Sequence, residues 1–213
     1  MILVAIIGGS GSGKTSVAKE LISFFPSKSN LLSMDNYYKD LPSGVDPRNF
    51  NFDDPKAFDF ELFEEDLKRI KSGEDIKLPK YNMVTYRRET GIMIDFEVKD
   101  LIVVEGLFLL YNRHISDFFD FSVYIDAPSD ERLIRRIERD TVERGRTVES
   151  ILTQYRKYVA PSFKTFIEPQ KYYCDIVLPE GVSNKIGMNI IKNAIEKMLE
   201  TKQEGIRWKK FYY

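Results

Sequence analysis

The sequence predicts an α/β fold: a five-stranded parallel sheet flanked by helices, with a small β insert and an arginine-rich lid. Three observations predict it. Short uninterrupted apolar runs alternate with segments of helical periodicity, the pattern of strands buried on both faces and joined by right-handed helical crossovers. A glycine-rich loop separates the first apolar run from the first helical segment. Arginines then gather late in the chain, between positions 132 and 146.

Each element follows in order. Ile2 to Ile7 is apolar throughout and reads as a buried strand. Residues 14–25 follow the glycine loop as a helix that Pro26 stops. Residues 30–34 form a second strand, ending at Asp35. Residues 36–56 are rich in Asn, Asp, Pro, Ser and Tyr and read as a long ordered loop, a kind usually kept for function. Phe60, Phe63, Leu67 and Ile70 recur at helical spacing, and Gly73 closes that helix. Residues 76–97 alternate and contain Thr90-Gly91, which predicts a small antiparallel insert. Leu101 to Val104 is a third buried strand, ended by Glu105-Gly106, and Phe121 to Asp126 is a fourth. Pro128 and Ser129 start a charged helix, and Ile176 to Leu178 is a short fifth strand. The last helix carries Ile186, Ile190, Ile191, Ala194, Ile195, Met198 and Leu199 on one stripe. No repeat or low-complexity linker divides the chain, so residues 1–213 read as one domain, with the insert at about 76–97 and the lid at about 132–146.

Composition narrows the function. With 43% hydrophobic and 31% charged residues, the chain can bury an ordinary core. Lys plus Arg is 32 and Asp plus Glu is 33, a net charge of −1, which argues against general electrostatic binding to nucleic acid or membrane. The opening apolar run is too short to span a bilayer and lacks the basic flank of a signal peptide. Cys174 is the one cysteine, so no intramolecular disulfide forms, which fits a reducing compartment. The expectation is a soluble cytoplasmic protein.

Gly8, Gly9, Ser10, Gly11, Ser12, Gly13, Lys14 and Thr15 match G-x-x-x-x-G-K-[ST], with a strand before and a helix after. Glycines let backbone N–H groups turn inward and approach a phosphate. The helix N-terminus adds partial positive charge. Lys14 is expected to reach the β- and γ-phosphates of a nucleoside triphosphate, and the Thr15 hydroxyl to ligate Mg²⁺. The metal also needs a carboxylate, and Glu105 at a strand end is the candidate. Asp35 sits at the same kind of strand end. The loop predicts a P-loop NTPase or kinase fold and is silent about the reaction.

Three classes share this loop: GTPase switches, mechanical ATPases and small-molecule kinases. A switch GTPase carries D-x-x-G, which is absent, and N-K-x-D, where Asn184-Lys185-Ile186-Gly187 has glycine in the last place. The chain lacks the size or repeats of a motor. A kinase fits better, because it must cover its phosphates and exclude water. Arg132, Arg135, Arg136, Arg139, Arg144 and Arg146 suit that cover, with Arg132, Arg136 and Arg139 on one helical face. A solvated helix is the other reading, because Glu131, Glu138, Asp140 and Glu143 interleave with the arginines and can pair with them.

The chain resembles the uridine kinase family (uridine-cytidine kinases) from Ile6 to about Ile195. The segments that carry the resemblance are the glycine loop, Ser33-Met34-Asp35-Asn36-Tyr37-Tyr38, residues 51–59, Pro79-Lys80-Tyr81, Val104-Glu105-Gly106, Arg135-Arg136-Ile137-Glu138-Arg139-Asp140 with Glu143-Arg144-Gly145-Arg146, and Gln154-Tyr155. Residues 51–59 and the arginine lid are the most specific of these. Pantothenate kinase and phosphoribulokinase share the scaffold, but these segments look less like theirs. The resemblance implies transfer of the γ-phosphate of ATP or GTP, with Mg²⁺, to the 5′-hydroxyl of uridine or cytidine in pyrimidine salvage. It also implies a homo-oligomer, often a tetramer. The rivals are a kinase of the same scaffold for pantothenate or a sugar phosphate, and a non-catalytic nucleotide-binding regulatory protein.

Residue by residue, the resemblance makes Asp35 the catalytic aspartate that orients the nucleoside 5′-hydroxyl. Asp53 accepts from ribose hydroxyls, and Phe52 and Tyr81 line the base and sugar pocket. Arg136, Arg146 and Gln154 face the substrate, Arg139 and Arg144 are lid arginines, and Glu105 is the Mg²⁺-linked acid. Two departures stand out. Tyr86 occupies the base-reading place where the family commonly has histidine, which predicts an altered base preference, narrowed toward cytidine. Ser183 stands where relatives often have Asp near the adenine, beside Asn184, which is grouped with the nucleotide-binding residues. That leaves the choice between ATP and GTP open. The lone His114 has no metal-ligating partner in sequence, and Cys174 reads as a small buried filler. The aromatic tail, Trp208, Phe211, Tyr212 and Tyr213, suits docking on a partner or on the chain's own core.

Overall fold

The computed structural model describes residues 1–203; the aromatic tail with Trp208 lies outside the described residues. In chain order the elements are β1 (Ile2–Ile7), α1 (Lys14–Ser23), β2 (Ser29–Ser33), α2 (Phe60–Lys71), β3 (Ile76–Asn82), β4 (Arg87–Phe96), β5 (Leu101–Gly106), α3 (Arg113–Ser116), β6 (Phe121–Asp126), α4 (Ser129–Val142), α5 (Val148–Gln154), α6 (Ala160–Ser162), β7 (Ile176–Pro179) and α7 (Lys185–Gln203). Two π-helical turns, Tyr155–Val159 and Phe163–Ile167, flank α6. No helix among the described residues is long and apolar enough to cross a membrane.

The expected five-stranded sheet is present, in the order β2-β5-β1-β6-β7, and all its pairings are parallel. β1 explains its own composition. Leu3, Ala5 and Ile7 face one core with Phe63, Leu67 and Ile70 of α2, while Ile2, Val4 and Ile6 face another with Val17 and Leu21 of α1 and Ile191 and Ile195 of α7. A strand covered on both faces has no polar side, so the apolar run is unbroken. The register sets Ile6 beside Glu105 and Ser33 beside Glu105. The ends of β1, β5 and β2 therefore emerge side by side, and this adjacency builds the site.

Two sequence expectations need correction. The insert is an antiparallel hairpin of β3 and β4, but it does not turn at Thr90-Gly91. Gly91, at φ +74°, lies inside β4 across from the register shift between Pro79 and Tyr81. The turn is at residues 83–86, where Asn82 Oδ1 accepts from the N–H groups of Val84 and Thr85. An Asx turn competes with a Thr-Gly turn, and here the side-chain acceptor wins. In α7 the buried hydrophobic residues are Met188, Ile191, Ile195 and Met198, whereas Ile186 and Ile190 are exposed. Those two fall outside the stripe because the helix packs on one narrow face.

Candidate active site

The glycine loop runs from the end of β1 into α1. Gly11, at φ +79°, would place a Cβ 2.3 Å from the Arg132 carbonyl, and Gly13, at φ +91°, caps α1. Only glycine meets both demands. Lys14 is buried, and its Nζ lies 3.9 Å from Glu105 Oε2.

Asp35 begins the turn after β2. The Ser33 hydroxyl donates to Glu105 Oε1 at 2.7 Å and accepts from the Asp35 N–H at 3.3 Å. One serine thus ties the Glu105 carboxylate to the backbone of the Asp35 turn. Burial pushes the Glu105 carboxyl up; Lys14 opposes this, and nearby Asp35 adds to it. Glu105 Oε2 is buried with no hydrogen-bond partner, and Thr15 stands exposed at the start of α1. An unsatisfied carboxylate oxygen beside a hydroxyl is the hard-oxygen donor chemistry that Mg²⁺ takes, so the residues fit that ion.

The rest of the pocket comes from the long loop, the hairpin turn and the α4–α5 region. Ser10, Lys14, Asp35, Phe52, Asp53, Tyr86, Arg136, Arg139, Arg144, Arg146 and Gln154 all line one cavity. The loop is rigid for reasons its sequence supplies: Asp46 and Asp54 cap short turns, and Asn51 accepts from Asp53 N–H. Asn51 also donates to Ser162 in α6 at 2.9 Å. Phe52 stacks on Tyr86 with ring centroids 5.1 Å apart. Arg136 donates to the Ser10 hydroxyl at 2.8 Å and to Gln154 Oε1 at 3.0 Å, and Arg146 donates to the same oxygen at 2.7 Å.

One residue expected on the substrate side, Tyr81, lies outside this cavity. It packs behind Tyr38, with ring centroids 5.2 Å apart and its buried hydroxyl unpartnered. Asn184 accepts from Gly187 N–H and so caps α7. Arg132, placed with Arg136 on one helical face, is outside this cavity and lies against Gly9 of the glycine loop, its guanidinium 3.7 Å over the Phe163 ring. His114 is exposed, and Cys174 is half-buried. Among the described residues, no group of three or more His, Cys, Asp or Glu side chains could hold a metal.

Sequence reasoning passed over Tyr38. It lines the cavity, and burial, with Asp35 and Asp53 close by, raises its phenol well above the usual range. Its signal was present three residues after Asp35, in a segment already singled out.

A family model described as the phosphoribulokinase/uridine kinase family matches residues 3–187. The chain belongs to this family. As a member it is a kinase, and its family chemistry calls for a nucleotide phosphate donor. A uridine kinase of Staphylococcus aureus strain JH9 is 42% identical over 200 residues, which cover 92% of this chain and 96% of that protein. Phosphoribulokinase from Rhodobacter spheroides superposes with a TM-score of 0.61 at 16% identity, over 84% of this chain and 69% of that one. A possible uridine kinase from Bacillus stearothermophilus gives a TM-score of 0.56 at 23% identity, over 83% and 88%. At such identities the two superpositions show the fold, and the family assignment rests on the sequence matches.

Proposed function

We propose that this family member transfers the γ-phosphoryl group of ATP or GTP to the 5′-hydroxyl of a pyrimidine ribonucleoside, uridine or cytidine. The observation that carries the reading is the meeting of Asp35 and Asp53 with Lys14 and four arginines in one cavity. The uridine kinase identity of the 42% relative supports the same acceptor.

Asp35 orients the nucleoside 5′-hydroxyl and takes its proton as the O5′–P bond forms and the bond to the β-phosphate breaks. The transition state is loose, so positioning counts for more than basicity. Asp53 accepts from the ribose hydroxyls, and Phe52 and Tyr86 flank the base. Lys14, Arg139 and Arg144 hold the charge that develops on the transferred group, and Arg136, Arg146 and Gln154 close the substrate side. Thr15 and Glu105 would hold Mg²⁺, which supplies positive charge to the phosphate oxygens when bound. We place the reaction in the cytoplasm, which suits a chain with a single cysteine.

A homo-oligomer, a tetramer by family resemblance, belongs to the proposal. Ile92 and Ile94 stand exposed on one face of β4, an apolar strip that a second copy would cover. Light scattering reads this directly, and a monomer overturns it.

ADP release measured across uridine, cytidine, 2′-deoxyuridine and pantothenate tests the function. Turnover with the two ribonucleosides is expected, with the deoxy compound disfavoured because it leaves Asp53 unpaired. Turnover with pantothenate alone, or ATP binding without transfer to any acceptor, overturns the reading.

A further inference from the structure

Asp140 stands at the centre of the arginine cluster. It is fully buried in α4 and does not itself line the cavity. Arg139 reaches its Oδ1 with Nη2 at 2.8 Å and Nε at 2.9 Å. Arg144 Nε lies 3.5 Å from the same oxygen, while Arg136 Nε and Arg146 Nη1 each lie 3.6 Å from Oδ2. Oδ2 and Arg136 Nε have no hydrogen-bond partner. Burial pushes this carboxyl up, but Arg144, Arg139 and Arg136 outweigh it and hold it below the usual range.

We propose that Asp140 is a positioning residue whose charge gathers Arg136, Arg139, Arg144 and Arg146 around the pocket and yields Arg144, the one held by charge alone, to the incoming triphosphate. The inference rests on the kinase reading above. Four like charges in one pocket repel, and a single buried anion is what keeps them together. Arg139 is fixed by two short contacts. Arg136 and Arg146 are fixed by hydrogen bonds to Gln154, whereas Arg144 has only the 3.5 Å approach to Asp140, so charge holds it and direction does not. Arg144 can turn toward a stronger anion while Arg139 keeps the carboxylate paired. Arg136 carries the arrangement to the glycine loop through Ser10 and to α5 through Gln154, whose oxygen Arg146 shares. The alternative is a carboxylate that serves only to pair charges within α4 and contributes nothing but stability.

Asp140→Asn keeps the shape and removes the charge. In steady-state kinetics, kcat is expected to fall roughly tenfold to a hundredfold, because the arginines lose their aim. KM for the nucleoside is expected to stay within about threefold. Melting at low salt, with and without inorganic tripolyphosphate, gives a readout that pure stability would not move. The anion replaces the missing charge, so it should raise the variant's Tm by roughly twice as many degrees as the native protein's. A native kcat overturns the proposal, as does a tripolyphosphate shift no larger than the native one. If neither protein phosphorylates any nucleoside, the function reading fails and the melting comparison still decides on Asp140. If Asp140→Asn does not fold, the double variant with Arg144→Gln, which removes one surplus positive charge, should recover folded protein; failure to recover it overturns the proposal.

Discussion

Ser33 and Glu105 stand opposite each other on neighbouring parallel strands, and the Ser33 hydroxyl donates to Glu105 Oε1 at 2.7 Å. The same hydroxyl accepts from Asp35 N–H. One side chain therefore joins the proposed metal-side carboxylate to the backbone that carries the proposed acceptor-side one. Ser33→Ala removes a hydrogen bond to a charged group, about 1.5–3 kcal/mol. The expected outcome is a kcat loss of roughly tenfold to a hundredfold with a raised Mg²⁺ requirement. A magnesium titration of the initial rate checks it; unchanged half-saturation would show that Glu105 is held by other means.

Asp35 is the proposed acceptor-side carboxylate, and its removal should separate chemistry from binding. Asp35→Ala is expected to lower kcat by roughly a hundredfold or more. Nucleotide affinity should hold, because the phosphate cradle is made by the glycine loop between β1 and α1 and by Lys14, and Asp35 belongs to a different turn. Calorimetric titration with ATP beside a rate assay tests both halves, and an unchanged kcat removes Asp35 from its role.

The fold was legible in the chain because the inner strands of the main sheet are covered on both faces, so β1 and β5 announce themselves as unbroken apolar runs. The glycine loop was legible for a similar reason: a phosphate cradle demands glycine at fixed places. Strand order was not legible. Nothing local tells that β5 slots between β1 and β2, yet that slot brings Glu105 to Ser33 and Lys14. The part played by Asp140 was hidden for a different reason. Interleaved acids and arginines on a helix look alike whether they are solvated or buried, and only packing distinguishes the fully buried Asp140 from Glu138, which stays exposed. Tyr81 and Tyr38 show the limit of motif reading. Both belong to matching segments, but the packing of one ring on the other decides which of them meets the cavity.

Tyr86 holds a left-handed backbone at φ +58°, with its N–H donating to Asn82 O and its carbonyl accepting from Leu41 N–H. The phenol is thus fixed at the cavity wall against Phe52. A ring so held presents one geometry to the base, whereas a neutral imidazole can switch tautomer and serve either a donor or an acceptor. The native enzyme is expected to favour cytidine. Tyr86→His should bring the kcat/KM values of uridine and cytidine closer together. Histidine also tolerates this backbone region, so the variant should remain folded. Equal kcat/KM for the two nucleosides in the native protein would remove the idea.

Tyr37 anchors the Asp35 turn to α2. Its hydroxyl donates to Asp66 at 2.9 Å, and both side chains are buried. Burial raises the Asp66 carboxyl above its ordinary value, while Tyr37 and Arg69 pull it back. A carboxyl raised in the folded state adds stability below its unfolded pKa and loses that contribution as pH rises through the folded value. The Tyr37 bond favours the charged form, so its worth runs the other way, full at neutral pH and fading as Asp66 takes up a proton. Tyr37→Phe is therefore expected to cost about 1–3 kcal/mol near neutral pH and less near pH ~4. Asp66→Asn keeps an acceptor for the phenol without a buried charge and should cost under about 1 kcal/mol near neutral pH. Urea denaturation of both variants at the two pH values checks the signs; a Tyr37→Phe penalty that grows in acid would mean that the hydroxyl serves the neutral carboxyl instead.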